Sequence, residues 1–200
     1  MLNSIFKSGP VFALALSLLS ASAVAAPSAA VAQEYYTVRQ LLAEQFKSSE
    51  RVSYVRVRPN GEQRARIERR LGRDLSKTDY TVYVAQTGER IDGYALFDDE
   101  LGQHEPISFA TFFDAQGKVT RVEVVAYREA YGDGVRAQRF RRQFVGKDAH
   151  SGFAPQSDID AISGATISSR ALCVGVQRAA LVLDETVLRG RTVVATLSGR

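Results

Sequence analysis

Residues 79–127 most narrowly constrain what this chain can fold into. "DYTVYVAQ" (79–86) alternates Tyr80, Val82 and Val84 against Thr81, Tyr83 and Ala85, the two-residue period of a strand. "RIDGYALFDD" (90–99), "PISFATFFDA" (106–115) and "VTRVEVVAY" (119–127) follow closely. "AQGK" (115–118) is a turn, with Gly117 available for a positive φ. Together these segments read as a meander that includes a hairpin.

Helical patterns flank this block. "TVRQLLAEQF" (37–46) spaces Val38, Leu41, Leu42 and Phe46 as a short amphipathic helix. "RVSYVRVR" (51–58) alternates as a strand, and residues 61–75 form a helix that Gly72 ends. After Tyr127 the chain turns polar and glycine-punctuated (128–135). A helix over 136–144 then carries Phe140 and Phe144 on one face, and residues 145–158 form a loop. A long helix over 168–188 carries the stripe Leu172, Val176, Ala180, Leu183 and Val187. Gly175 inside it costs about 1 kcal/mol relative to Ala, which points to close packing there. The tail from Arg189 either adds a last strand, "TVVATL", or frays. The class is α+β: a mostly antiparallel sheet flanked by helices, with a long C-terminal helix. At 200 residues with 45% hydrophobic and 24% charged residues, one domain with its own core is expected.

The first 32 residues are read apart from the fold. Lys7 opens a short positive region, residues 11–19 are apolar, and A-x-A patterns stand at 23–25 and 30–32. That order is a secretory signal peptide, cut after Ala25 or Ala32. A retained membrane anchor would need roughly 20 apolar residues, and Ser17, Ser20 and Ser22 interrupt the run. The expected place is the periplasm or another extracytoplasmic compartment.

The chain carries 26 Lys and Arg against 22 Asp and Glu, and the leader removes one Lys and no acid, leaving +3. That excess is too small to imply nucleic acid, and the basic run 136–144 reads as a solvated helix face. The single Cys173 excludes an internal disulfide and sits in an apolar helical pattern, as a buried thiol does. Neither G-x-x-x-x-G-K-[ST], G-x-G-x-x-G, H-E-x-x-H, C-x-x-C nor G-x-S-x-G occurs. His104 and His150 stand far apart in polar stretches and suggest no metal site; Asp98-Asp99-Glu100 reads as an exposed turn.

"DIDAISGATISS" (158–169) bears two readings. As a helix start, Ser168 or Ser169 is the N-cap, Gly164 allows a turn, and Asp160 accepts local N–H groups. As a site, the small neighbours Ser163, Gly164 and Ala165 leave the Thr166 hydroxyl open to another enzyme. A phosphate there would lie beside a helix start, and Asp160 is placed for the cation that accompanies a nucleotide phosphate.

Asp160-Ala161-Ile162-Ser163-Gly164-Ala165-Thr166 matches D-x-x-x-G-A-[ST], and here the chain resembles the FMN-binding domain family. Such domains occur in the C subunit of sodium-translocating NADH:quinone reductase, the G subunit of the Rnf complex and stand-alone exported flavoproteins. "FFDAQGKVTRVEVVAYREAYGDGV" and "RFRRQFVGK" extend the similarity over residues 76–188.

The resemblance implies a division into signal peptide (1–32), N-terminal extension (33–75) and FMN-binding domain (76–200). It implies FMN attached to Thr166 through its phosphate by a flavin transferase. Asp160, Ser163, Gly164, Ala165, Glu129 and Tyr131 would be cofactor-binding residues, with no metal. Tyr127 and Tyr131 would flank the flavin ring or pack at a sheet edge; Arg139, Arg142 or Lys147 would meet the phosphate or solvent. Where the respiratory subunits read E-T-P-G, this chain has Glu129-Ala130-Tyr131-Gly132. The implied function is an extracytoplasmic electron carrier served by a membrane reductase, quinol-linked protein or cytochrome. The alternatives are a small exported flavin-dependent reductase and a non-redox adaptor or binding module.

Overall fold

The computed structural model describes residues 33–190. The expected leader and the tail strand "TVVATL" lie outside the described residues. Six antiparallel strands form one sheet: β1 Gln33–Glu34, β2 Arg51–Val57, β3 Tyr80–Thr87, β4 Arg90–Leu101, β5 Pro106–Asp114 and β6 Val119–Tyr127. The spatial order is β1-β6-β5-β4-β3-β2. The meander expected from the alternation is therefore present, and the class is α+β. Gly117, at φ +85°, turns the β5–β6 hairpin, while the Asp114 carboxylate accepts the N–H groups of Gln116 and Lys118.

The alternation serves two cores. On one face Tyr80, Val82, Tyr94, Leu96, Phe109 and Val122 join the main core. On the other, Ala85, Ala95, Ala110 and Phe112 meet Leu41 and Phe46 of α1 (Val38–Gln45) and the residue after it. Three alanines on neighbouring strands leave a shallow trough for that helix. Central β5 is consequently buried on both faces. At the far edge β2 is exposed along nearly its whole length, with Tyr54 67% exposed.

Capping fixes the two early helices. Thr37 and Gln40 form a reciprocal box at α1, and Asn60 and Gln63 another at α2 (Gly61–Leu71). Gly72, at φ +73°, ends α2 as its spacing predicts. The helix expected over 136–144 is instead three short pieces: a 3-10 turn Asp133–Arg136, α3 Gln138–Arg141 and a 3-10 turn Arg142–Phe144. Phe140 and Phe144 still both enter the core, edge to face at 5.6 Å. The last helix, α4 (Thr166–Leu183), starts two residues before its expected start and passes into a π-turn, Asp184–Leu188. Its Gly175 rests on the Phe109 ring, where a Cβ would collide.

A further expectation is corrected. Residues 98–100 are not an exposed turn; they lie in β4, with Asp98 and Glu100 buried facing α4. The Arg178 guanidinium donates to Asp98 at 2.8 Å, to Glu100, and to the Asp99 carbonyl at 2.9 Å. Lys77 and Arg73 complete the cluster from outside, at 2.5 and 3.1 Å. Burial opposes the charge on Arg178, but the two carboxylates more than offset it and raise its pKa.

Candidate functional site

The segment leading to α4 is pinned at intervals, and this sets where its small residues stand. Ile159 is buried and anchors it. Before it, the Asp158 carboxylate accepts the Ala154 N–H at 2.8 Å, and Gln156 adopts φ +72°. After it, Asp160 and Gln143 bond reciprocally: the Asp160 N–H donates to the Gln143 amide oxygen at 2.8 Å, and the Gln143 amide donates to the Asp160 carbonyl at 3.2 Å. Gly164, at φ +78°, then reverses the chain, and the Ala165 N–H closes a turn on the Ile162 carbonyl at 2.9 Å.

Thr166 follows directly as the first residue of α4, and it is exposed. The expected caps do something else. Ser168 is buried with its hydroxyl 2.8 Å from that of Tyr127, and Ser169 is buried accepting the Ile162 N–H at 3.2 Å. The N-cap position belongs to Ala165, which offers no side-chain acceptor. The first turn of α4 thus presents its free N–H groups without a side-chain cap, beside the Thr166 hydroxyl.

Two hollows meet at Thr166. One, of about 260 Å³, is lined by Gln103, Tyr131, Gly132, Gly164, Thr166 and Ile167. The other, of about 340 Å³, is lined by Gln156, Asp160, Ala161, Ile162, Ser163 and Thr166. Tyr131 is 85% exposed. Tyr127 is not a ring face: it is buried, and its hydroxyl donates to the Tyr131 carbonyl at 2.5 Å. Burial raises its pKa, against the lowering effect of the Ser168 hydrogen bond. Gly132, at φ +90°, leaves the space these hydroxyls occupy, since a Cβ would come within 2.7 Å of both.

The structure therefore brings Thr166 together with Asp160, Ser163, Gly164, Ala165 and Tyr131. Glu129 stands apart. Its carboxylate accepts the N–H groups of His104 at 2.6 Å and Glu105 at 3.0 Å, and so holds the β4–β5 turn. Burial pushes its pKa upward, but these backbone donors prevail and hold it below the ordinary 4.5. That turn carries Gln103 to the first hollow, a residue no sequence pattern marks. Gly132, which also lines that hollow, lies in the glycine-punctuated stretch 128–135. Lys147 donates to the Gly152 carbonyl at 2.9 Å, whereas Arg139 and Arg142 line a third hollow. Cys173 is buried, and its thiol is pushed up to about 12 by that burial. Among the described residues no group of three or more His, Cys, Asp or Glu is placed to hold a metal ion, and no helix is long and apolar enough to cross a membrane.

Residues 102–181 match the FMN-binding domain. The family match is to this region of the chain. The match starts at the β4–β5 turn and runs through β5, β6 and the Thr166 loop into α4. Strands β2 to β4, in the same sheet, precede it. The chain is also similar to the G subunit of the proton-translocating ferredoxin:NAD(+) oxidoreductase complex of Clostridium ljungdahlii. The two are 31% identical over 104 residues, covering 48% of this chain and 56% of that protein. The chain thus spans about half the length of this relative.

Proposed function

We propose that this chain is an exported flavoprotein that holds FMN covalently on Thr166 and carries electrons outside the cytoplasm. The observation that carries the reading is the first turn of α4, where an exposed threonine stands at the first helical position of a helix without a side-chain cap. A phosphate ester on that hydroxyl lies beside free N–H groups and the positive end of the helix dipole, a placement that favours its charge. Small neighbours on the N-terminal side, exposed Ser163 and Gly164, leave room for a modifying enzyme's active site.

In loading, Thr166 Oγ attacks the flavin-side phosphorus of FAD. The Oγ–P bond forms, the P–O bond of the diphosphate breaks, AMP leaves, and the hydroxyl proton passes to a base of the flavin transferase. No electrons change hands. Bound FMN supplies one- and two-electron redox chemistry. Attachment at Thr166 would keep the cofactor where it cannot be replenished, and the residues lining the two hollows would hold it. Tyr131, Ile167 and Gln103 offer the aromatic, apolar and amide surface suited to a flavin ring. The relative's name places it in a proton-translocating oxidoreductase complex, which supports membrane redox partners here: a membrane reductase, a quinol-linked protein or a cytochrome. The signal-peptide pattern of residues 1–32 supports export.

Co-production with a flavin transferase in an exporting host tests the reading. Denatured wild-type protein retains flavin fluorescence, Thr166→Ala loses it, and Ser168→Ala keeps it. Wild-type protein that releases all its flavin on denaturation refutes covalent attachment.

A further inference from the structure

The loop that delivers Thr166 has a second side. Asp160, Ala161 and Ile162 wall the hollow beside Thr166 and also wall a neighbouring hollow of about 310 Å³. The opposite wall of the latter is Arg139, Arg142 and Gln143.

The four arginines of this short helical segment divide into two pairs. Arg136 lies over the Tyr35 ring at 3.6 Å. Arg141 bonds the Val122 carbonyl and the Glu123 carboxylate, both at 2.7 Å. Arg139 and Arg142 are exposed, and no described residue accepts a hydrogen bond from, or pairs with, either guanidinium. Gln143, in the same wall, bonds the Asp160 backbone through both ends of its amide. Those same bonds fix the loop as one wall of the hollow.

Two unpartnered planar guanidiniums on one concave surface suit phosphate oxygens, which each fork can take two at a time. The Asp160 side chain is also exposed in this lining and opposes an anion, so the three charged groups sum to +1.

We infer that this hollow is a phosphate-binding subsite gripped by Arg139 and Arg142, next to the acceptor hydroxyl. Its ligand is the phosphate-bearing part of a nucleotide. Taking that nucleotide to be the dinucleotide from which Thr166 is loaded rests on the proposed function; binding of a phosphate group does not. A subsite there holds the donor's second phosphate while the first meets Thr166.

The test uses the full chain, purified without a transferase and therefore unmodified. Inorganic pyrophosphate, AMP and riboflavin are titrated separately at low salt, and arginine Nε–H and backbone amide shifts are followed by NMR. Pyrophosphate and AMP are expected to shift Arg139, Arg142 and residues 160–162, whereas riboflavin, which lacks phosphate, leaves them unmoved. AMP binding more tightly than pyrophosphate marks recognition of the nucleoside as well as the phosphate. Arg139→Gln with Arg142→Gln weakens binding about tenfold or more, the scale of a lost charge-assisted hydrogen bond. Asp160→Asn strengthens it, and Arg170→Gln, an exposed cation outside the hollow, leaves it unchanged. Equal pyrophosphate affinity in the double variant, shifts confined to other surfaces, or no binding in the millimolar range overturns the inference. None of these readouts depends on flavin attachment, so the subsite and the Thr166 reading fail separately.

Discussion

Arg178 and Thr166 sit on the same helix, twelve residues apart, and their surroundings are opposites. Around Arg178 every charge is matched: Asp98, Glu100 and the Asp99 carbonyl take the guanidinium, while Lys77 and Arg73 take the remaining carboxylate oxygens. Around Thr166 the N–H groups that open the helix have no side-chain cap, and the two serines able to provide one are turned inward. A saturated buried cluster has nothing left to offer a ligand. An unsaturated helix end in a concave surface does, and this supports the proposal of Thr166 as the attachment point although the richer charge cluster lies at Arg178.

This contrast breaks most visibly at Arg178. Arg178→Ala leaves Asp98 and Glu100 buried without their central partner, and a loss of about 3–5 kcal/mol is expected in urea unfolding. Thr166→Ala should change stability by no more than about 0.5 kcal/mol, as for an exposed surface substitution. If the two changes cost the same, the distinction between a structural end and the proposed ligand-binding end fails.

Gly175 lies between the two ends, against Phe109. Gly175→Ala pushes α4 off the sheet and should cost about 1–3 kcal/mol, measured by the same unfolding experiment. Smaller still is Tyr127→Phe. It removes the hydroxyl that joins the Tyr131 carbonyl to Ser168, and about 1 kcal/mol of stability is expected to go with it.

The smallest effect is that of Glu129, and it is pH-dependent. Its folded pKa lies below the ordinary 4.5, so as pH falls the unfolded carboxyl takes up its proton first. The stabilisation it gives is present above 4.5 and is lost as pH drops through the lower folded value. Glu129→Gln should flatten that part of an acid-unfolding curve and raise amide exchange at residues 103–105. An unchanged curve removes Glu129 from the turn it is said to hold.

How much of this the sequence disclosed follows from the range of each interaction. The strands were legible because Tyr80, Val82 and Val84 alternate within a few residues. The Asp160–Thr166 motif was legible for the same reason, being seven contiguous positions. Asp98 and Glu100 were misread because three successive acids resemble a solvated turn, and their partner Arg178 is about eighty residues away in sequence. Ser168 and Ser169 have the right type for caps, and only the fold shows their hydroxyls turned to Tyr127 and the Ile162 N–H. Arg136, Arg139, Arg141 and Arg142 are indistinguishable as a basic run; packing alone separates the two that are engaged from the two that are not. β1 pairs just two residues with β6, too short a stretch to show alternation.

Trypsin provides the most direct test of the central claim. Cleavage after Lys147 and Arg170 releases residues 148–170, which contain Ser151, Ser157, Ser163, Thr166, Ser168 and Ser169 as the hydroxyl residues. From protein exported with a flavin transferase, fragmentation of this peptide should place one FMN phosphate ester on Thr166. The same peptide carrying no flavin, or carrying it on any of the five serines, would contradict the account.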